Sequence, residues 1–196
     1  EWDRYVYVFD DLSKYEQNKH DFLESRLMNY SNGNLEGIVD SISFLMDKLK
    51  DYYHKEVMVF IDEYDTPFIE AHTKGFYEEV RGGLSGLLHN SLKTSNSLKY
   101  AFITGIQRVA KENIFSDLNN LVVVTTTSNR YETSFGFKEE EVFTALDEHG
   151  FSDKKEEVKR WYDGFSFGNK KDIYNPWSII NFLKTGEFAA YWADSS

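Results

Sequence analysis

The sequence predicts an α/β fold, a mostly parallel sheet covered by helices, followed by a small mainly helical subdomain. Three observations carry the prediction. EVMVFID, residues 56–62, is a continuous apolar run rather than an alternating one, the pattern of a strand buried on both faces of a parallel sheet. Strand-like runs alternate with amphipathic stretches of helical length, as right-handed β-α-β units require. From about Ser134 no further run of that kind occurs, and helical patterns follow one another. The expected organisation is therefore an α/β core over 1–133 and a helical subdomain over 134–196.

Taken in order, Tyr5 to Phe9 (YVYVF) is aromatic and β-branched, ends at Asp10-Asp11, and reads as a strand. After the turn-rich SNGNLEG at 31–37, Ile38, Ile42, Leu45, Leu49 and Tyr53 recur at three- and four-residue steps, the stripe of a covering helix. The 56–62 run is the second strand. Pro67 follows it and suits the first turn of a helix, where its missing N–H costs nothing. Tyr77, Val80, Leu84, Leu87, Leu88 and Leu92 form another helical stripe, in which Gly82, Gly83 and Gly86 imply close packing. KYAFIT at 99–104 and LVVVTT at 121–126 are the third and fourth strand candidates. Beyond them, 138–149 and 153–162 read as helices, DGFSFGNKKD as a glycine-containing turn, and Pro176 to Leu183 as a last helix.

Hydrophobic residues make up 41% of the 196 and aromatics 17%, enough to bury a core and too rich for disorder. The formal net charge of -11, with no long basic run, argues against a broad nucleic-acid or membrane-binding surface. The absence of cysteine excludes disulfides, thiolate catalysis and Cys-ligated zinc, and fits a reducing compartment; the expectation is cytoplasmic. No apolar stretch approaches the roughly 20 residues that span a bilayer. The chain starts at Glu1 without a signal-peptide pattern, and reads as a fragment or processed product.

Chemistry concentrates at the end of the second strand. In an open parallel sheet, ligands bind beyond the carboxyl ends of the strands, and Asp62 and Glu63 stand there. Apolar residues followed by Asp-Glu match the Walker B pattern of P-loop nucleotide hydrolases. In that setting the Asp holds Mg²⁺, usually through water, and the Glu orients or deprotonates the attacking water. The same pair also fits a strand merely leaving the core for solvent. Asp65, in D-T-P, reads as a turn or helix-start residue whose side chain caps free N–H groups.

The third strand runs into FITGIQR, which sets the hydroxyl of Thr104 and the cation of Arg108 near the neighbouring strand's acids, where a terminal phosphate would need them. A solvated Arg and a Thr chosen for strand propensity give the same letters. The five histidines show no H-E-x-x-H spacing. GGLSG at 82–86 falls short of G-x-S-x-G, because Leu87 occupies the last glycine position.

Together, VFIDEYDTPFIEA, FITGIQRVAKENIFSDLNNL, RYETSFGFKEEEV, RWYDGFSFG, IYNPWSIINFL and YWADSS resemble the predicted AAA-ATPase-like family from about Val57 onward. These are P-loop proteins, related to AAA+ and STAND ATPases and often joined to a PD-(D/E)XK nuclease-like domain. The resemblance implies a P-loop NTPase-like core using Mg²⁺ and ATP. Asp62 would be the metal-side acid and Glu63 the water-activating acid. Thr104 and Arg108 would be sensor-like, with Asn119 and Asn120 leading to the next strand. IYNPWS resembles a lid element that approaches the nucleotide, with Pro176 and Trp177 its residues of interest; a proline starting a helix and a tryptophan filling the core account for them equally well.

One departure matters. The family's phosphate-binding loop is expected upstream, and nothing in residues 1–196 matches G-x-x-x-x-G-K-[ST]. Lacking that loop's backbone N–H groups and lysine, these residues alone should not turn over ATP. The alternative reading is a non-hydrolysing regulatory or scaffold module built on the same sheet. Metal-dependent nuclease chemistry on Asp62, Glu63 and Asp65 is disfavoured, since no nearby lysine completes an acid-acid-x-Lys pattern.

Overall fold

A computed structural model describes residues 1–29, 35–106 and 121–194. The chain divides into two compact units, Glu1–Leu121 and Val122–Ser196.

The first unit opens with 3-10 turns over Trp2–Phe9, kinked at Tyr5, where the sequence predicts a strand. The correction has a physical reason. Trp2, Tyr5 and Phe9 recur at three- and four-residue steps, which helical turns bring to one packing surface. These residues pack on Leu23, Phe44 and Leu45, with the Trp2 and Phe9 rings 4.9 Å apart.

Helix α1, Lys14–Met28, has no counterpart in the predicted elements, for its one buried residue is Leu23. Its start is nonetheless written locally. Ser13 and Glu16 form a capping box, each side chain satisfying the other's backbone N–H. Glu16 also accepts from Lys48 Nζ, tying α1 to α2, Ser41–Tyr53.

Strand β1, Val57–Ile61, leads to α3, Thr66–Lys74, with its proline in the first turn as expected, and then to α4, Tyr77–Leu92. Of the glycines predicted to pack closely, Gly86 in α4 does, since a Cβ there would lie 2.8 Å from Val39 Cγ1, whereas a Cβ on Gly82 would meet nothing within 4 Å. Strand β2, Leu98–Ile103, returns beside β1 in parallel, Val59 opposite Ala101 and Ile61 opposite Ile103.

Val59, Ile61, Leu98 and Ile103 pack on Phe68, Ala71, Val80, Leu88 and Leu92, so α3 and α4 cover one face of the pair. Double coverage is not what the described residues provide. On the opposite face Phe60 is 69% and Tyr100 65% exposed, beside the exposed Met58 and Phe102. The segment 121–126, predicted as a fourth strand, forms none: 121–125 is irregular and a turn begins at Thr126.

In the second unit, β3 (Phe137–Lys138), α5 (Glu139–Glu148) and α6 (Lys155–Tyr162) are followed by β4 (Asp163–Phe167), β5 (Lys170–Tyr174) and α7 (Pro176–Thr185). The helices fall where the sequence predicts them. DGFSFGNKKD is not merely a turn: it is most of a β4–β5 hairpin, in an antiparallel sheet of order β3-β5-β4. Gly168, at φ +55°, and Asn169 form its two-residue loop, a glycine-asparagine pair that matches the twist of paired strands. Val142, Leu146, Val158, Tyr162, Tyr174, Ile179 and Phe182 fill the core.

A polar group borders that core. Glu139 accepts from Lys159 Nζ and, at 3.2 Å, from Tyr174 Oη, while Asp163 keeps its Oδ1 buried near the Asp172 charge, without a hydrogen-bond partner among the described residues. Burial foremost, then the Asp172 charge, pushes the Asp163 carboxyl above its ordinary range. Among the described residues no helix is long and apolar enough to cross a membrane.

Candidate functional site

The site begins with register. Because Ile61 and Ile103 are level in two parallel strands, the residues that follow them, Asp62 and Thr104, leave the sheet together at its carboxyl edge. Thr104 N–H continues the ladder by donating to Ile61 C=O at 2.8 Å. Tyr64 N–H then donates back to Thr104 C=O at 3.0 Å, so the chain leaving β1 folds over the end of β2.

Within this frame the Thr104 hydroxyl donates to Asp62 Oδ1, and the same oxygen accepts from Glu63 N–H at 3.0 Å. Two donors on one carboxylate oxygen fix the Asp62 side chain, although it remains exposed. Glu63 is exposed too, and its backbone sits at φ +52°, the left-handed region that a residue with a Cβ occupies at a cost of about 1–2 kcal/mol. Strain of this kind clusters where a side chain must be aimed. Thr66 N–H closes the turn on Glu63 C=O at 3.1 Å, and α3 begins.

The predicted residues Asp62, Glu63 and Thr104 therefore come together. Arg108, Asn119 and Asn120 lie outside the described residues. Pro176 and Trp177 belong to the second unit. There Asn175 caps α7 through bonds from Trp177 and Ser178 N–H, Pro176 takes the first helical position, and Trp177 is 51% exposed. Trp177 is thus not a core residue, one of the two readings its sequence context allows.

Asp65 differs from its predicted role. It stands at the N-cap position of α3, but its side chain makes no capping bond, and it is only 1% exposed. No local pattern in D-T-P distinguishes a capping aspartate from a buried one.

A fixed, exposed carboxylate oxygen set beside a hydroxyl at a strand end suits a hard divalent cation. Mg²⁺ keeps several waters and takes one or two carboxylates together with substrate phosphates, so Asp62 fits such an ion without a full protein cage. Glu63, on the next residue and directed to solvent, can accept a proton from or orient a water.

A family model described as "Predicted AAA-ATPase" matches residues 4–115, more than half of the chain. The chain is also similar to an uncharacterised protein from the vnfD 5′ region of Azotobacter chroococcum mcd 1, with 29% identity over 143 residues. That match covers 72% of this chain and 27% of the relative, so the chain spans just over a quarter of the relative's length. No solved structure matches the chain.

Proposed function

Since the chain belongs to the predicted AAA-ATPase family, we propose that its β1–β2 edge is the acidic half of a Mg²⁺-dependent ATP hydrolysis site. The single observation behind this reading is the bond from Thr104 to Asp62 at the level carboxyl ends of two parallel strands, with Glu63 adjacent. When bound, the metal draws charge away from the phosphates as the terminal one is transferred. Asp62 holds the metal side, usually through water. Glu63 orients the attacking water and takes its proton. Thr104 keeps the Asp62 carboxylate in one rotamer and sets its hydroxyl toward the terminal phosphate.

The cradle for the triphosphate is not among residues 1–196, which contain no G-x-x-x-x-G-K-[ST]. The alternative is a regulatory or scaffold module on the same sheet that does not hydrolyse nucleotide. Residence in the cytoplasm and a nuclease-like domain on the same polypeptide belong to the proposal as well.

The test is Mg²⁺-ATP hydrolysis by the full-length polypeptide and its Glu63→Gln form. The expected loss is about 10²-fold or more, the range for removing a general base. Equal rates would sink the role given to Glu63, and a full-length protein that binds Mg²⁺-ATP without turnover would favour the scaffold. Residues 1–196 alone should show no turnover.

A further inference from the structure

We propose that Asp65 is a positioning residue of this site: its buried carboxylate, set against Gly105, holds the end of β2 so that Thr104 stays in register with Asp62. The functional consequence rests on the ATPase reading, but the mechanical claim does not.

The first observation is where the side chain does not go. An aspartate at a helix N-cap normally turns its carboxylate onto the free N–H groups of the first turn. Asp65 has helical backbone angles, φ -84° and ψ -19°, rather than the extended ones of a capping residue. Its carbonyl accepts from Phe68 and Ile69 N–H, both at 3.0 Å, while its side chain makes no capping bond. The capping contribution is forgone.

The second observation is burial. Among the described residues Asp65 is the one acid or base in the buried class, at 1% exposure, although Asp62 and Glu63 beside it are exposed. Removing a carboxylate from water is costly, so the fold gains nothing from an aspartate here unless the group fixes something.

The third observation is what it stands against. A Cβ on Gly105 would fall 2.5 Å from Asp65 Oδ1 and 2.6 Å from Tyr64 Cε1, so that carboxylate and the Tyr64 ring both stand against the open side of Gly105. A side chain at 105 would have to displace them. The residue before it is Thr104, whose backbone is bonded to both Ile61 and Tyr64. The Tyr64–Asp65 pair thus grips Thr104–Gly105 from the β1 side, and the Thr104 hydroxyl reaches Asp62 from a held backbone. Displacements of about 1 Å at a reacting group can cost 10²-fold in rate, which gives such a grip functional weight.

Two measurements test this, on Asp65→Ala, Asp65→Asn and Gly105→Ala. The first is amide hydrogen exchange at Tyr64 and Thr104, read against Val59 and Phe102 in the strand interiors. Asp65→Ala and Gly105→Ala should each raise exchange at Tyr64 and Thr104 by about tenfold while Val59 and Phe102 stay protected, a local opening. The near-isosteric Asp65→Asn should open the edge less. No change at Tyr64 and Thr104, or an equal rise at all four amides, would overturn the proposal.

The second measurement is Mg²⁺-ATP turnover by the full-length polypeptide, where both variants should lower kcat about tenfold with KM changed less than about twofold. A wild type without turnover defeats the ATPase reading and leaves the exchange result to decide the role of Asp65. A wild type with turnover and variants of unchanged kcat defeats the role of Asp65 alone. If Asp65→Ala does not fold, Asp65→Asn and Gly105→Ala decide.

Discussion

Replacing Glu16 by glutamine should destabilise the first unit, and the size and pH dependence of the loss follow from the contacts of one carboxylate. Glu16 Oε1 accepts from Lys48 Nζ across the α1–α2 junction, and Oε2 accepts from Ser13 N–H at 2.9 Å and from the Ser13 hydroxyl. The Lys48 bond first, then the two from Ser13, lower its pKa from 4.5 to about 2. Taken whole, a shift of that size corresponds to about 3 kcal/mol. The Glu16 side chain retains 30% of its exposure, and solvent screening reduces the contribution to about 1–2 kcal/mol.

The sign follows from the direction of the shift. A folded-state pKa below the unfolded one gives stability that is present above about pH 4.5 and lost as pH falls toward 2. Urea denaturation of wild type and Glu16→Gln at a series of pH values measures the difference. Glutamine keeps the shape and part of the capping bond, and Lys48 keeps Asp51 at 2.6 Å, so the variant should fold. At pH 7 it should be less stable by the amount above, and the gap should close as the pH is lowered through the carboxylate range. Equal stability at pH 7, or a gap that persists unchanged at low pH, would refute the assignment of that free energy to the ionised carboxylate.

Two further variants probe the strained and paired groups. Glu63→Asn should raise the melting temperature, because asparagine tolerates the left-handed backbone that Glu63 occupies at φ +52°, with a gain of about 0.5–1 kcal/mol; a lower melting temperature would show that no strain is stored there. Asp172→Asn should stabilise the second unit near neutral pH. Burial and the Asp172 carboxylate raise the Asp163 pKa, so wild-type stability falls as pH rises through the carboxylate range, and removing one charge should flatten that fall. Asparagine suits the φ of +59° at position 172, and Lys159 and Tyr174 remain to face Asp163. A carbon-detected NMR titration of the aspartate carboxyl groups, with Asp163 no lower in the variant than in wild type, would contradict the pairing.

Much of the architecture was legible because it is written at short range. Periodic apolar residues marked α2, α4 and the helices of the second unit, and an apolar run ending in Asp62-Glu63 marked β1 and its acids. Where the local signal was of another kind the reading failed. Helix α1 is announced by its capping box and not by a stripe, and the β4–β5 hairpin by its Gly168-Asn169 pair and not by long strands. The opening YVYVF satisfies strand propensity and helical periodicity at once, and only its packing as helical turns on Leu23, Phe44 and Leu45 settles which is used.

The sequence by itself determined which acids end a strand and which hydroxyl ends the next. Only the tertiary structure decided that they meet, since the Thr104–Asp62 bond joins residues 42 apart in sequence and depends on parallel register. The same holds for the Phe60 and Tyr100 face, which a continuous apolar run marks for cover and which is exposed among the described residues, and for the burial of Asp65. Propensity and periodicity act within a few residues, whereas register, coverage and the burial of a charge are set by what packs across the sheet.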